Sequence, residues 1–285
     1  MKTKIIILLS VVIFSSFIDK PAYKLFDKSG KTTDYETMLL ACQDADIILF
    51  GELHNNPIAH WLQYELTKDL FANKGGKLVL GAEMFESDNQ LIIDEYFAGF
   101  ITQKKFEEEA RLWPNYSTDY KPLVEFAKEN NLKFVATNIP RRYANTAYKQ
   151  GIETLEKLSP EAKKYIAPLP AKIDLSLNCY KQLVDGMSHM GAGAGINMAN
   201  AQAIKDATMA HFILENYKKG QTFIHYNGSY HSDNYESINW YLLDQNPKLK
   251  IVTITTVSQE NIEKLENINI ANFTICVPET MTGTY

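Results

Sequence analysis

Short apolar runs alternate with amphipathic stretches along most of this chain. The run ADIILF, residues 45–50, ends at Gly51 and is typical of a buried strand. The stretch after it places four aliphatic residues four positions apart on one helical face: Ile58, Leu62, Leu66 and Leu70. Asn56 is suited to cap this helix, and Pro57 to occupy its first position. The pattern predicts a strand that leads directly into a helix.

Five further runs have the character of strands: residues 77–83, 132–138, 221–226, 249–257 and 272–277. Strands that alternate with helices of ten or more residues predict βαβ units and parallel pairing. Between about residues 141 and 219 we find helical periods but no convincing strand. We therefore predict an α/β fold with a largely parallel (mixed) sheet flanked by helices. A smaller all-helical insertion at about 141–219 would interrupt a single domain that covers residues 21–285.

The first twenty residues have a different pattern. The basic segment MKTK precedes the apolar run IIILLSVVIF, which is typical of a signal peptide. The run is shorter than the roughly 20 residues that cross a bilayer. No cysteine follows it, so a lipid anchor has no attachment point. We expect residues 1–20 to be a signal peptide and the protein to be exported to the cell envelope, in the periplasm or at the outer membrane.

Composition excludes several classes of function. The net charge is −5, and no dense Lys/Arg cluster follows the first few residues, which argues against a nucleic-acid-binding surface. The basic segment RRY at 141–143 is too short for that role. No GxSxG, P-loop or GxGxxG motif in a suitable position is present. The three cysteines lie far apart, without a CxxC pair, and are expected to be buried and unpaired.

Candidate chemistry collects at the ends of the predicted strands. In open α/β sheets the ligand crevice lies beyond the carboxyl ends of the strands. Glu52 and His54 follow the first strand, Glu83 the second, Asn138 the third and His231 the fourth. These side chains are therefore expected to converge at one edge of the sheet.

Two of the strand ends share a GxxH pattern, GELH at 51–54 and GSYH at 228–231. Glu52 and His54 are two positions apart and project from the same face if the backbone stays extended. With Glu83 and His231 they form a set of two histidines and two carboxylates that suits Zn²⁺, Mn²⁺ or Fe²⁺. Histidines at strand ends also often bond only to a backbone carbonyl, and both interpretations stay open.

Several other histidine and tyrosine residues allow more than one interpretation. His60 on the first helix faces either the crevice or solvent, and His225 is expected in the core. His189, between two methionines, lines either an apolar ligand pocket or an ordinary helix end. Tyr116 and Tyr120 lie in the loop WPNYSTDY, which is too polar for simple core. A phenolate can ligate ferric haem iron, whereas a loop cap is the structural alternative.

Six segments, taken in order, resemble the ChaN family of haem-binding, iron-regulated envelope proteins. They are ILFGELHNNPIAH, GAEMFESDNQ, FEEEARLWPNY, KPLVEFAKENNLKFVATNIPRRYA, AQAIKDATMAHFI and YNGSYHSD. The resemblance runs from about residue 47 to 233. This family belongs to a superfamily with the Tiki and TraB proteins and resembles erythromycin esterases in its His/Glu layout at the strand ends.

The resemblance implies haem as the cofactor, held between the protomers of a homodimer with tyrosine ligation and histidine assistance. It also implies a role in haem or iron uptake and an association with an outer-membrane haem uptake system. The haem-contacting residues would come from one set: His54, His60, Tyr116, Tyr120, Asn138 and His231.

Two functions from different classes remain open. The first is a haem-binding envelope protein without turnover. The second is a metal-dependent hydrolase of the Tiki or esterase type, with Glu52, His54, Glu83 and His231 as metal ligands and catalytic residues. A His/Glu pair that acts as a general base without metal is a variant of the second. A haem pocket has no need of Glu52 and Glu83, whereas a site that activates water does.

Overall fold

Eight strands form one sheet in the computed structural model of this protein, which describes residues 20–187 and 193–285. The strands are β1 (Lys24–Asp27), β2 (Thr32–Thr33), β3 (Ile47–Glu52), β4 (Leu78–Glu86), β5 (Lys133–Asn138), β6 (Thr222–Gly228), β7 (Ile251–Gln259) and β8 (Phe273–Pro278). Their order across the sheet is β2-β1-β8-β7-β3-β6-β4-β5. The six strands from β8 to β5 are parallel, and β1 pairs antiparallel with both β2 and β8.

The described helices cover both faces of this sheet. They are α1 (Tyr35–Gln43), α2 (Pro57–Lys74), α3 (Gln90–Phe97), α4 (Gln103–Glu109), α5 (Lys121–Glu129), α6 (Arg141–Gln150), α7 (Pro160–Lys163), α8 (Asn178–Gly186), α9 (Ala194–Asn216) and α10 (Ile238–Gln245). Buried side chains of α1 to α5 form one core with one face of the sheet. Buried side chains of α6, α8, α9 and α10 form a second core on the opposite face.

The helix after β3 begins where its sequence predicts. The Asn56 side chain accepts a hydrogen bond from the Ala59 amide at 2.9 Å, and Pro57 occupies the first turn. The helix ends at Gly75, whose φ of 54° is unfavourable for residues with a side chain. This short connection fixes where the residues between β3 and α2 lie.

Strand β3 lies between β6 and β7, so the chain changes direction across the sheet at this strand. Such a switch point opens a crevice at the carboxyl ends of the strands. In the register of β3 and β6, Gly51 pairs with Asn227 and Glu52 with Gly228. The two GxxH segments therefore leave the sheet side by side.

The predicted fold class is confirmed, with differences in detail. Strands β3 and β6 continue two residues beyond the predicted runs, so that Glu52 and Gly228 are still in extended backbone. The antiparallel pair β1 and β2 was not predicted, because its strands have four and two residues and β1 depends on β8 from the far end of the chain.

The predicted insertion at 141–219 contains helices and no strand in its described part. Helices α6 and α9 pack on the sheet in one core with α10, so this segment supplies most of the second helical layer. Across the described ranges, every helix is too short or too polar to span a lipid bilayer. The predicted signal peptide, apart from residue 20, and His189 lie outside the described residues.

Candidate functional site

Glu52, the last residue of β3, lies at the centre of a buried network. Its Oε1 atom accepts a hydrogen bond from the Tyr120 hydroxyl at 2.6 Å and lies 3.0 Å from Nδ1 of His54. Its Oε2 atom accepts from the Gln63 amide at 2.6 Å. Only 1% of Glu52 is exposed, so each of these contacts replaces a hydrogen bond to water. The carboxylate is held in one orientation, directed at His54.

His54 is the accessible histidine of this network. As its spacing predicts, it projects to the same side as Glu52, which holds its Nδ1 atom. Its side chain is 40% exposed, and Nε2 has no hydrogen-bond partner among the described residues. Burial lowers the pKa of His54, but the hydrogen bond to Glu52 and the charge of Glu83 outweigh it, so the pKa is raised. Nε2 is therefore available to a ligand, and its basicity is increased.

Gly228 leaves room for this imidazole. A Cβ atom at position 228 would lie 2.7 Å from Cε1 and 2.8 Å from Nε2 of His54. Because carbon atoms do not approach so closely, any side chain here would displace the ring. The glycine of the second GxxH segment thus accommodates the histidine of the first.

The second histidine, His231, is buried between two carboxylates. Its Nδ1 atom lies 2.5 Å from Oδ1 of Asp206 on α9, and its Nε2 atom lies 3.3 Å from Oε1 of Glu83. Glu83 also accepts a hydrogen bond from the Gly228 amide, and Asp206 accepts one from the Tyr180 hydroxyl. Both ring nitrogens of His231 are engaged, so this histidine is a fixed structural cation beside the site.

The pKa values of this cluster follow from burial and from the opposite charges. Burial lowers the pKa of His231, but the charges of Glu83 and Asp206 raise it to about 10. Burial raises the pKa of Glu83, but the charge of His231 more than compensates and lowers it. For Asp206 burial prevails, and its pKa is raised. At neutral pH the Glu83–His231 ion pair is therefore formed.

Two cavities lie near this cluster: His54 lines one of them, and Trp113 lines the other. One, of about 540 Å³, is lined by both GxxH segments, by Glu83, and by Gln202 and Lys205 of α9. The other is a groove of about 910 Å³ with an apolar wall of residues 112–114. The ring of Trp113 from this wall packs edge-on against His54, with ring centroids 4.9 Å apart. The contact between these two rings thus connects the wall of the polar pocket, which His54 lines, with the wall of the larger, partly apolar groove, which Trp113 lines.

The other predicted contact residues lie behind His54. Tyr120 is 2% exposed and its hydroxyl binds Glu52, while Tyr116 packs against Phe85 and Phe106 with a buried hydroxyl that has no hydrogen-bond partner among the described residues. Burial raises the pKa of both phenols. Their loop forms a π-helical turn at Tyr116–Tyr120 rather than an exposed cap.

His60 and Asn138 also have internal partners. Nε2 of His60 lies 3.1 Å from the carbonyl oxygen of His54, and its Nδ1 lies 3.2 Å from Oε1 of Gln63. His60 therefore faces the site but supports it from behind. Asn138 donates to the carbonyl oxygen of Glu83 at 3.0 Å, and in the described part of the chain its own Oδ1 has no hydrogen-bond partner. His225 is in the core as expected, and burial lowers its pKa to about 4.

The predicted metal set is brought close together but is arranged in pairs. Glu52 binds His54, and Glu83 binds His231, so the donor atoms face one another rather than a common point. Within residues 20–187 and 193–285, no group of three or more His, Cys, Asp or Glu residues is arranged to hold a metal ion. The set Glu52, His54, Glu83 and His231 thus forms two histidine–carboxylate pairs.

Sequence reasoning missed four polar residues of the network: Gln63, Asn115, Asp119 and Asp206. Asn115 donates to the carbonyl oxygen of His54 at 2.7 Å and to Asp119 at 2.6 Å. The spacing of three between His60 and Gln63 was a usable signal, because it places both on one face of α2. Asp206 gave a weaker signal, since only the packing of α9 on the sheet shows that its side chain is fully buried.

Comparison with known proteins identifies the family. The sequence profile described as "Haem-binding uptake, Tiki superfamily, ChaN" matches residues 38–242. No curated protein sequence matches the chain. Among solved structures, a ChaN protein of Campylobacter jejuni, which binds haem cofacially, is similar with a TM-score of 0.68 and 20% identity; the match covers 89% of this chain and 96% of that one.

Two further solved structures are more distant. A protein from Bacillus cereus has a TM-score of 0.48 at 13% identity and covers 84% of this chain and 73% of its own. An erythromycin esterase mutant in an open conformation has a TM-score of 0.47 at 10% identity, and the match covers 85% of this chain and 78% of that one. The profile match extends over most of the chain, from α1 to α10, and includes both GxxH segments. This chain belongs to the ChaN family of haem-binding uptake proteins in the Tiki superfamily.

Proposed function

We propose that this protein binds haem at the edge of the sheet where His54 and Trp113 meet, and that it serves haem or iron uptake outside the cytoplasm. The observation that carries the proposal is the state of His54. Its Nε2 atom has no partner among the described residues, while Nδ1 is held by a buried carboxylate. Neutral imidazole is a common haem ligand. A hydrogen bond from the ring nitrogen that does not bind iron, here Nδ1, increases the basicity of the imidazole.

The groove beside Trp113 fits a large planar ligand. Its volume of about 910 Å³ lies near the upper end of the range of about 300–1,000 Å³ for small-molecule sites. Leu112, Trp113 and Pro114 provide an apolar wall, which is the surface that a tetrapyrrole ring requires. Haem would supply an iron centre able to accept a nitrogen or phenolate ligand, and the chain contributes the side chains that hold and orient it.

The proposal assigns different roles to the tyrosines. Tyr120 fixes Glu52, and Tyr116 packs in the core, so we assign neither to the iron. Tyr285 lines the groove and is 67% exposed. Its residue neighbour Thr284 is held by hydrogen bonds to the Asn55 carbonyl oxygen and to Asp119. We therefore assign to Tyr285 the phenolate that family resemblance implies, with His54 assisting.

The open side of the groove supports the predicted dimer. A haem that rests on a single apolar wall keeps its other face in water, which costs free energy in proportion to the exposed apolar area. A second copy with a second haem would cover that face. The export signal of residues 1–20 and an association with an outer-membrane haem uptake system complete the proposal.

Titration with hemin tests the binding. We expect a saturable change in the Soret band of the wild type and a shift from monomer to dimer in sedimentation on loading. His54→Ala is expected to weaken binding at least tenfold, whereas His211→Ala is the matched control. His211 is a partly exposed histidine of α9 that lies 3.8 Å from Glu215 and packs against the ring of Phe212. A wild type that gives no saturable Soret change contradicts the proposal.

A second candidate function rests on the same histidine. A histidine whose Nδ1 is held by a carboxylate and whose Nε2 faces a cavity has the geometry of a general base. We propose this pair, without metal, as the hydrolase alternative, with Lys205 across the 540 Å³ pocket as a cation for a developing oxyanion. Hydrolysis of chromogenic carboxylic and phosphate esters tests it: activity should withstand a chelator and disappear in His54→Ala. A wild type inactive on every ester contradicts it.

A further inference from the structure

The charged rim of the groove contains a feature that haem ligation does not use. The chain has three arginines, Arg111, Arg141 and Arg142, against many lysines. All three line this one groove, although Arg111 precedes α5 and the other two begin α6. Arginine presents a planar fork that matches a carboxylate with two parallel hydrogen bonds, which lysine cannot do. The placement therefore indicates carboxylate recognition rather than general positive charge.

Two of the arginines are held in position by carboxylates of the protein. Arg111 donates to Glu86 at 3.0 Å and also pairs with Asp88. Arg142 donates to the other oxygen of Asp88 at 2.6 Å, and its guanidinium lies over the ring of Tyr143. Asp88 thus joins both arginines, and their side chains are ordered before any ligand arrives.

Arg141 differs from its two neighbours. It is exposed, and it has no ion pair or hydrogen bond within the described residues. Arg111 and Arg142 are paired with Glu86 and Asp88, so among the described residues Arg141 is the arginine of this rim whose charge has no ion-pair partner. An anionic group in the groove would meet Arg141 first, with the apolar wall of residues 112–114 beside it.

We propose that this arginine groove binds the propionate carboxylates of the tetrapyrrole, with Arg141 as the direct partner and with Arg111 and Arg142 held by Asp88 as the supporting rim. The inference rests on the proposed haem binding and deepens it. Carboxylate recognition then acts independently of the iron, because it uses a different end of the ligand from His54.

Three ligands separate the contribution of carboxylate recognition from that of iron binding: hemin, its dimethyl ester and iron-free protoporphyrin IX. An exposed charged hydrogen-bonded pair at a partly covered site corresponds to about a tenfold change in affinity. We expect the wild type to bind hemin about tenfold more tightly than the dimethyl ester. In Arg141→Ala this preference should vanish through weaker hemin binding, with ester binding unchanged.

Protoporphyrin IX, followed by its fluorescence, is expected to depend on Arg141 but not on His54. Lys149→Ala, which removes another exposed cation of α6, is the control for net charge. Circular dichroism should show an intact fold in Arg141→Ala, since this exposed side chain has no hydrogen bond or ion pair within the described part of the chain.

The outcomes are distinct. If hemin binds the wild type but Arg141→Ala keeps the full preference over the ester, or if the wild type has no preference, the carboxylate assignment is overturned while haem binding stands. If hemin does not bind the wild type at all, both are overturned. Arg141→Lys should recover only part of the preference, because it restores the charge and not the fork.

Discussion

Nδ1 of His231 lies 2.5 Å from Oδ1 of Asp206, although the two residues are 25 positions apart and come from the turn after β6 and from α9. This contact links the sheet edge to the long helix of the second layer. Because Glu83 holds the other ring nitrogen, His231 joins three elements at the site. The contact explains why a histidine of a GxxH segment here is structural rather than available for a ligand.

The Glu83–His231 pair predicts a specific pH dependence of stability. The pKa of His231 is raised from 6.5 to about 10, so its contribution is complete below pH 6.5 and is lost as the pH rises towards 10. The pKa of Glu83 is lowered from 4.5, so its contribution is present above pH 4.5 and is lost in acid. The difference in unfolding free energy between wild type and His231→Gln should therefore be largest between pH 4.5 and 6.5.

Chemical denaturation across pH 3–10 measures this difference. Loss of one partner of a buried ion pair costs about 3–5 kcal/mol, which sets the expected maximum. The pKa of Asp206 is raised by burial, so its contribution to the unfolding free energy decreases as the pH rises above 3.8, whereas that of Glu83 increases with pH. Asp206→Asn combined with His231→Gln in a double-mutant cycle separates the two effects. A difference that increases steadily up to pH 9 contradicts the ion pair.

Tyr120 and Tyr116 provide a matched pair of substitutions. Tyr120→Phe removes the 2.6 Å hydrogen bond to the buried carboxylate of Glu52 and should cost about 1–3 kcal/mol of unfolding free energy. Tyr116→Phe removes a buried hydroxyl that has no hydrogen-bond partner within residues 20–187 and 193–285, and it should be neutral or stabilising. Urea denaturation measures both.

The same pair tests the assignment of haem contacts. Neither change should remove the Soret response to hemin, whereas Tyr285→Phe should shift its absorption spectrum. A spectrum that changes in Tyr116→Phe and stays constant in Tyr285→Phe would place the ligand in the core loop and overturn the assignment.

Gly228→Ala is expected to disturb the ligand site more than the fold. Its Cβ would lie 2.7 Å from Cε1 of His54, whose side chain is 40% exposed and therefore has room to move. We expect hemin affinity to fall about tenfold or more, which corresponds to about 1.4 kcal/mol, with a smaller relative loss of stability. Gly76→Ala is the control, because nothing lies within 4 Å of a Cβ at that position. Equal hemin affinity in Gly228→Ala and wild type would show that the position of His54 is unimportant.

The pH dependence of hemin binding should report on Glu52. Protonated imidazole cannot bind iron, so affinity should fall as the pH decreases through the pKa of His54. The hydrogen bond to Glu52 raises that pKa, against the effect of burial. In Glu52→Gln the pKa should fall, and the loss of binding should move to lower pH. NMR titration of His54 in both proteins measures the pKa directly; an unchanged value would contradict the coupling.

The alternation of apolar runs and amphipathic stretches was enough to predict the α/β class, the strand-to-helix step at residues 47–74 and the place of Glu52 and His54. These features depend on the local spacing of apolar residues, on the helix cap Asn56 and on Pro57 in the first turn. They are predictable because the interactions that determine them are between residues close together in the sequence. The three unpaired cysteines, all buried, were predictable from composition and spacing.

Tertiary structure decided the rest. The register of β3 against β6 and the position of α9 determine that His54 is accessible and His231 is held, although both follow a glycine at the same spacing. The same packing buries Tyr116 and Tyr120 and brings Arg111 to Arg141 and Arg142. Such juxtapositions join residues distant in the chain, and no local pattern specifies them, because they follow from how the helical layers close on the sheet.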